Sequence, residues 1–405
     1  MNLKEKDIAI ERIIDNIERE GFSRYDVQDI RRYRFKGKFT RYFFLVIEEF
    51  FPLLLRKILK IEKAEFVTAY THVAEGLFML TENVLNTFSD SLMQKCERGV
   101  LAYVENENGH VCWPYKENKT FFPVSCGGKK PTMPLHGLAR CNILLLKLGK
   151  YYNNQHYIQT AFDSAKETMK SHNVTKTDKG EWYISYYYNS DDCTLNVNTE
   201  FAQWLAMLPD SMLNGHLQEV MNGIVRLLVN EQNEDGSWYY FSKNFMKIHQ
   251  LTPVIDCHHT GTVLSNLMYV LNGQFLDDRL RVLLKQSINR GMQFYVDHFF
   301  DKKTGKAKTL IGYKRVAGPV QYAEAIFAFY NYLLSDGDKR IREEILMLFP
   351  KVIKQITRLV KKDGTVPSEC ILKWKNINSI RWGNGPVLQA LVCYKVLCEK
   401  KILEL

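Results

Sequence analysis

The sequence predicts an all-α fold, an (α/α)6 toroid of six outer-inner helix pairs with short β-hairpin loops at one mouth, and three observations point to it. Six apolar helices begin near Phe66, Pro134, Asn198, His258, Pro319 and Trp382. Their spacing, about 60 to 65 residues, marks a supersecondary pair that buries its apolar face only against its neighbours. These helices alternate with charged amphipathic ones. Each except the first follows an aromatic, Gly-containing loop, while opposite connections such as Leu148-Gly149-Lys150 and Leu208-Pro209-Asp210 are short. Long loops gathered at one end put function on that face.

Taken in order, residues 1–38 read as a basic helical extension and 39–405 as the toroid. Phe39 to Leu59 has helical periodicity and is assigned as the first outer helix, with Phe66 to Leu80 returning as the first inner one. Later outer helices are Asn86 to Val104, Gln155 to Ser171, Leu213 to Asn230, Asp277 to Phe299 and Lys339 to Val360, each with charges on one face and Leu, Ile, Val or Phe at three- and four-residue spacing on the other. The inner segments Gly137 to Leu148, Glu200 to Leu208, Thr260 to Leu271, Ala323 to Leu334 and Pro386 to Leu397 lack a polar face, as helices buried on most sides do. The loops that feed them read Asn108-Gly109-His110, Lys179-Gly180-Glu181-Trp182, Asp235-Gly236-Ser237-Trp238, Thr304-Gly305-Lys306 and Asp363-Gly364-Thr365. An Asn-Gly or Asp-Gly ahead of aromatic and β-branched residues is a tight turn entering a short strand.

Nine cysteines without a Cys-x-x-Cys, and an opening that leads into a charged amphipathic helix instead of a signal sequence, imply a reduced, cytoplasmic setting. The apolar run from Tyr42 to Leu55 is interrupted by Glu48, Glu49 and Pro52, too broken for a membrane span. A net charge of +10 favours anionic partners. The cluster Arg31, Arg32, Arg34, Lys36, Lys38 and Arg41, mixed with Tyr33, Phe35 and Phe39, suits peripheral contact with an anionic membrane, or else a solvated helix face. Nucleic acid is not expected, because no nucleic-acid module is visible.

Six inner-helix starts converging on one mouth would present unpaired N–H groups suited to anions. Asp256, His258, Tyr240, Glu200 and Glu324 are the candidate catalytic residues there. Candidate substrate-binding residues are His136, Arg140, Asn198, Trp113, Trp182, Trp238, Tyr322, Arg381 and Trp382. Two carboxylates among Asp256, Glu200 and Glu324 would serve glycoside hydrolysis. A His or Tyr base with Arg or Asn to neutralise an acid would serve proton abstraction beside a uronate carboxylate. Flat indole and phenol faces suit sugar rings. Asp256 can cap its helix, and adjacent His258 and His259 point about 100° apart, so one of them is expected to face the cavity. Cys257, His258, His136 and Cys126 are zinc-ligand types without metal spacing, so neither metal nor cofactor is expected.

The chain resembles the six-hairpin, glycosidase-like toroid superfamily, and within it bacterial surface-polysaccharide biosynthesis proteins of the VpsJ-like kind. The matching pieces are Gly21-Phe22-Ser23-Arg24-Tyr25-Asp26, Phe51-Pro52-Leu53-Leu54-Leu55-Arg56, Asn196-Val197-Asn198, Asp235-Gly236-Ser237-Trp238, Asp256-Cys257-His258-His259-Thr260-Gly261 and Arg381-Trp382-Gly383. The resemblance implies a role in making or modifying a capsule, exopolysaccharide or O-antigen. The expected partner is an anionic glycan or lipid-linked oligosaccharide, met by epimerase, lyase or glycoside hydrolase chemistry. The alternative is a non-catalytic glycan-binding or assembly factor of a membrane-associated synthesis complex. Gln232 to Trp238 also looks like the repeat of triterpene cyclases, and His136-Gly137 with Cys257-His258 like lanthionine cyclases. The acidic Asp-x-Asp-Asp cluster of the first and the Trp-Cys-x-Gly element of the second are absent.

Overall fold

The computed structural model describes residues 3–32, 37–83, 90–102, 105–107, 110–112, 134–187, 190–213, 215–313, 315–370 and 374–403. In chain order its helices are α1 (Leu3–Glu20), α2 (Asp29–Arg32), α3 (Lys38–Phe50), α4 (Pro52–Ile58), α5 (Val67–Asn83), α6 (Asp90–Leu101), α7 (Leu135–Tyr151) and α8 (Gln155–Ser171). There follow α9 (Leu195–Ala206), α10 (Gly215–Glu231), α11 (Lys243–Ile248), α12 (Cys257–Asn272), α13 (Asp278–Phe299), α14 (Pro319–Leu334), α15 (Lys339–Thr357) and α16 (Gly385–Glu399). Among the described residues three antiparallel hairpins pair β1 (Glu105–Glu107) with β2 (His110–Cys112), β3 (Val174–Lys176) with β4 (Trp182–Ile184), and β5 (Glu369–Cys370) with β6 (Trp374–Lys375).

The inner helices form a closed ring in which α5, α7, α9, α12, α14 and α16 each pack on the next and α16 returns to α5. Closure there is tight, since a Cβ at Gly76 would lie 3.2 Å from Leu388. Around the ring stand α6, α8, α10, α13 and α15, each burying one stripe. In α13 the stripe is Leu280, Leu284, Ile288, Met292, Tyr295 and Phe299, at the spacing that stacks side chains on one helix face. Side-chain caps fix several starts: Asn154 on α8, Asp277 on α13 and Asp338 on α15 each accept a first-turn backbone N–H.

The sixth outer helix is α1, a correction to the assignment of 1–38 as an extension and of Phe39 to Leu59 as the first outer helix. α1 packs on α16 through the Lys395–Asp7 ion pair at 2.7 Å and the Lys6 ammonium over the Tyr394 ring. The reason lies in the mouth turns. Gly180 touches Arg226 of α10, Gly236 meets Arg290 of α13, Gly305 meets Lys351 of α15, and Gly364 meets Arg12 of α1. Each turn therefore leans on the next outer helix, and α1 occupies the place that the repeat reserves. Gly364 needs its identity: φ is +77°, and a Cβ would collide with the Arg12 carbonyl. By the same rule Gly21, beside Lys95 of α6, opens the first mouth loop, and α2, α3 and α4 are an insertion within that loop.

Candidate functional site

At the long-loop end the inner ring opens into a bowl of about 1110 Å³, mouth included. Its wall draws on all six inner-helix starts: Phe66, Thr68 and His72, His136, Asn196 with Glu200, His258 and His259, Val320 with Glu324, and Arg381 with Trp382. Tyr186, Tyr187 and Tyr240 reach in from the loops, and Gln28 and Glu65 from the inserted first loop.

Two adjacent histidines dominate one wall, where a single one was expected. Asp256 caps α12, its Oδ1 accepting the His259 backbone N–H at 2.9 Å, and its Oδ2 lies 2.6 Å from His259 Nδ1. Burial disfavours the charged His259 ring, but Asp256 outweighs it and raises the pKa of His259. Burial likewise opposes ionisation of Asp256, yet His259 holds its carboxyl below the ordinary value. His258 behaves oppositely. Burial first, then the neighbouring His259, pushes it well below the ordinary imidazole range, and its Nδ1 takes no hydrogen bond among the described residues. The rings meet edge to face with centroids 4.7 Å apart, and Tyr240 stands edge-on to His259 at 4.5 Å. A neutral imidazole thus sits against one favoured as imidazolium.

Across the bowl His136 Nδ1 lies 2.8 Å from Glu200 Oε2. Deeper, burial raises Glu324 to about 7, with Arg140 opposing and Glu200 adding to the rise. The Thr262 hydroxyl lies 3.0 Å from the His258 carbonyl and 3.1 Å from Glu324 Oε2. One hydroxyl hydrogen serves one acceptor, so when the carbonyl takes it, a protonated Glu324 can donate to Thr262 in return. Beneath this lies a charged floor. Although burial opposes it, Lys147 and Arg140 hold Glu75 down at about 2, and Gln389 Nε2 donates to the same carboxylate at 2.8 Å. His72, whose Nδ1 is 3.1 Å from Gln389 Oε1, is lowered to about 3 by burial and then by Arg140, and so stays neutral.

His136, Glu200, His258, Glu324, Arg381 and Trp382 line the bowl, as the repeat phase suggests they should, and the loop residue Tyr240 lines it with them. Several other candidates do not. Asp256 is turned to its own helix and to His259, as a positioning group. Asn198 is buried and holds the Ile184 backbone with both ends of its amide. Tyr322 is buried, its hydroxyl accepting the Ala307 N–H. Arg140 lies in the ion cluster below the bowl. Trp182 packs on Gly223 of α10, and Trp238, 2% exposed, fills the gap at Gly291 of α13 while its Nε1 donates to the Leu228 carbonyl at 2.8 Å. These indoles pin mouth loops to the outer wall, because a mouth loop must cover its neighbour's apolar stripe before it can face solvent. Trp113 lies outside the described residues. The residues missed are Gln28, Glu65, Phe66 and Tyr187; Gly21 as a sixth mouth turn was the signal for the first three.

Among the described residues no three His, Cys, Asp or Glu side chains are placed to hold a metal ion. Cys257 is turned into the core, its sulfur 3.3 Å from the Tyr295 hydroxyl, and Cys126 lies outside the described residues. Among the described residues no helix is long and apolar enough to cross a membrane.

No family model matches the chain, and no curated protein matches it in sequence. Solved structures do match in fold. The GH76A α-1,6-mannanase of Salegentibacter sp. HEL1_6 superimposes with a TM-score of 0.60 at 11% identity, covering 97% of this chain and 99% of that one. A possible member of the GH105 family from Salmonella enterica serovar Paratyphi A gives 0.62 at 12% identity, with 99% and 95% covered. A sugar epimerase from a ruminal bacterium gives 0.58 at 12% identity, with 81% and 87% covered. The chain has the all-α (α/α)6 toroid fold, which it shares with these solved structures.

Proposed function

We propose that this protein is a carbohydrate-active enzyme of bacterial surface-polysaccharide biosynthesis. It works in the cytoplasm on an anionic or uronate-containing glycan, free or lipid-linked, and moves a proton at the sugar carbon next to the carboxylate. The observation that carries this reading is the pair of adjacent histidines with opposite proton affinities on the bowl wall. General acid-base catalysis needs one group ready to accept a proton and one ready to give it. His258, neutral, takes the C–H proton, and the electron pair delocalises into the carboxylate. In an elimination His259, beside it on the same wall, then protonates the departing glycosidic oxygen; in an epimerisation the opposite face of that carbon takes its proton from the facing wall, where His136 stands. Trp382, Tyr186 and Tyr187 offer flat faces for the sugar rings, and Arg381 offers a cation for the carboxylate. Neighbours in fold that include a sugar epimerase and α-1,6-mannanases support a glycan as the substrate class.

A second reading, glycoside hydrolysis, is favoured by Glu324, whose raised pKa suits a proton donor with Glu200 as its partner carboxylate. Asp256→Asn separates the two. Asparagine still caps α12 but no longer stabilises the imidazolium of His259. Turnover of uronate-containing oligosaccharides by the variant should lose its alkaline limb at a lower pH than the parent. An alkaline limb left in place would remove His259 as the acid and favour Glu324.

A further inference from the structure

The inserted first mouth loop carries the largest uncovered apolar face in the described structure. On α3, Phe39, Tyr42, Phe43, Val46 and Phe50 recur at three- and four-residue steps and are exposed, Phe39 by 85% and Tyr42 by 69%. Phe51, Leu53, Leu54 and Ile58 extend the face along α4 and its entrance, with Ile58 64% exposed. Surface helices ordinarily hide such a stripe and show their charges. This one is inverted.

The charges explain the inversion. Between Gly37 and Lys60 the acidic residues are Glu48 and Glu49, and both are buried. Glu48 pairs with Arg56 at 2.9 Å, and Lys375 lies 3.4 Å from Glu48 and 2.6 Å from Glu49. Arg56, fully buried, also bonds Asp29 at 3.1 Å and the Asp26 carbonyl at 2.7 Å. Asp26 in turn holds Arg381 of the bowl at 3.0 Å. The acids of the segment are thus consumed inside, strapping α3 and α4 to the rim, while Arg41, Lys57 and Lys60 remain exposed. What faces outward is aromatic, aliphatic and cationic, without an exposed carboxylate in the segment.

We propose that α3 and α4 form a docking surface for an anionic lipid bilayer, their aromatic stripe entering the headgroup boundary while Arg41, Lys57 and Lys60 contact acidic phospholipid headgroups. Charge sign selects this occupant, because a helix lying in an interface combines buried apolar area with cations that face acidic lipid. Docking there presents the bowl's rim to the membrane surface, where a lipid-linked glycan would be met. The surface stands apart from the reaction assigned above and is tested without any glycan. Full-length protein is floated with vesicles of phosphatidylcholine alone or mixed with phosphatidylglycerol. The wild type should float with the mixed vesicles, and raising salt should release part of it. Tyr42→Glu/Leu54→Glu, two exposed positions whose change leaves the thermal melt in place, should bind about ten-fold more weakly. Arg41→Glu/Lys57→Glu should abolish the preference for phosphatidylglycerol. Wild type that stays at the bottom, or apolar variants that float equally well, would overturn the proposal. So would light scattering that finds a dimer dissolved by the Tyr42→Glu/Leu54→Glu change, since a second copy of the chain would then be the occupant.

Discussion

Glu324 shows how the bowl sets proton affinity by depth. Its carboxyl is pushed to about 7 chiefly by burial, so the folded state holds its proton more tightly than the unfolded chain, where a glutamate titrates near 4.3. The stability it contributes is complete below that unfolded value and is lost as pH rises through 7. Glu324→Gln, which keeps the shape without the charge, should therefore melt higher than the parent at pH 8 and lose that advantage as pH falls toward 4.5. Its size should be on the order of 1 kcal/mol for each pH unit across the window. Chemical denaturation at several pH values measures the difference, and a pH-independent difference would mean that Glu324 ionises normally. On the opposite wall, His258→Gln should lower turnover by about 10² to 10⁴ while leaving the melt nearly unchanged, because the wild-type ring is already neutral.

The elements depend on their turns. Gly364→Ala combines a left-handed φ with a collision against the Arg12 carbonyl, and should cost about 2 to 4 kcal/mol by prising α1 from the ring, read as a shifted urea midpoint. An unshifted midpoint would mean that α1 is dispensable to the wall. Arg56→Ala leaves Asp29 buried without its cation and Glu48 with Lys375 alone, and should cost about 3 to 5 kcal/mol. These elements also mark what sequence could and could not reveal. The six inner helices and the outer wall from α6 onward were legible because a period of 60-odd residues and a one-sided apolar stripe are both written in the chain. α1 was not, because its partner in the ring, α16, is the last helix, and a contact between the two ends of a chain leaves no local pattern. The apolar run of α3 and α4 looked like a wall helix for the same reason: periodicity shows that a helix has an apolar face and is silent on what covers it.

At the scale of the molecule, the toroid turns six separate helix starts into one concave site, and this is why rim residues were readable as a group while single roles were not. His136, Glu200, His258, Glu324, Arg381 and Trp382 share one phase of the repeat and meet in the bowl, where Tyr240 joins them from a loop. Trp182, Trp238, Tyr322 and Asn198 share the same loops and helix starts but are drawn into packing, because an indole beside a glycine on the next helix gains more by filling that gap than by facing water. The proposed reaction rests on proton transfer by two neighbouring histidines. The most direct test follows the hydrogen on the sugar carbon beside the carboxylate, by proton NMR, while the protein acts on glucuronate- and galacturonate-containing oligosaccharides in deuterium oxide. Loss of that hydrogen, by exchange for deuterium or by formation of a carbon-carbon double bond, and its retention with His258→Gln, is the predicted result. Glycosidic cleavage with the hydrogen fully retained would contradict it and give the bowl to Glu324 and Glu200 as a hydrolase.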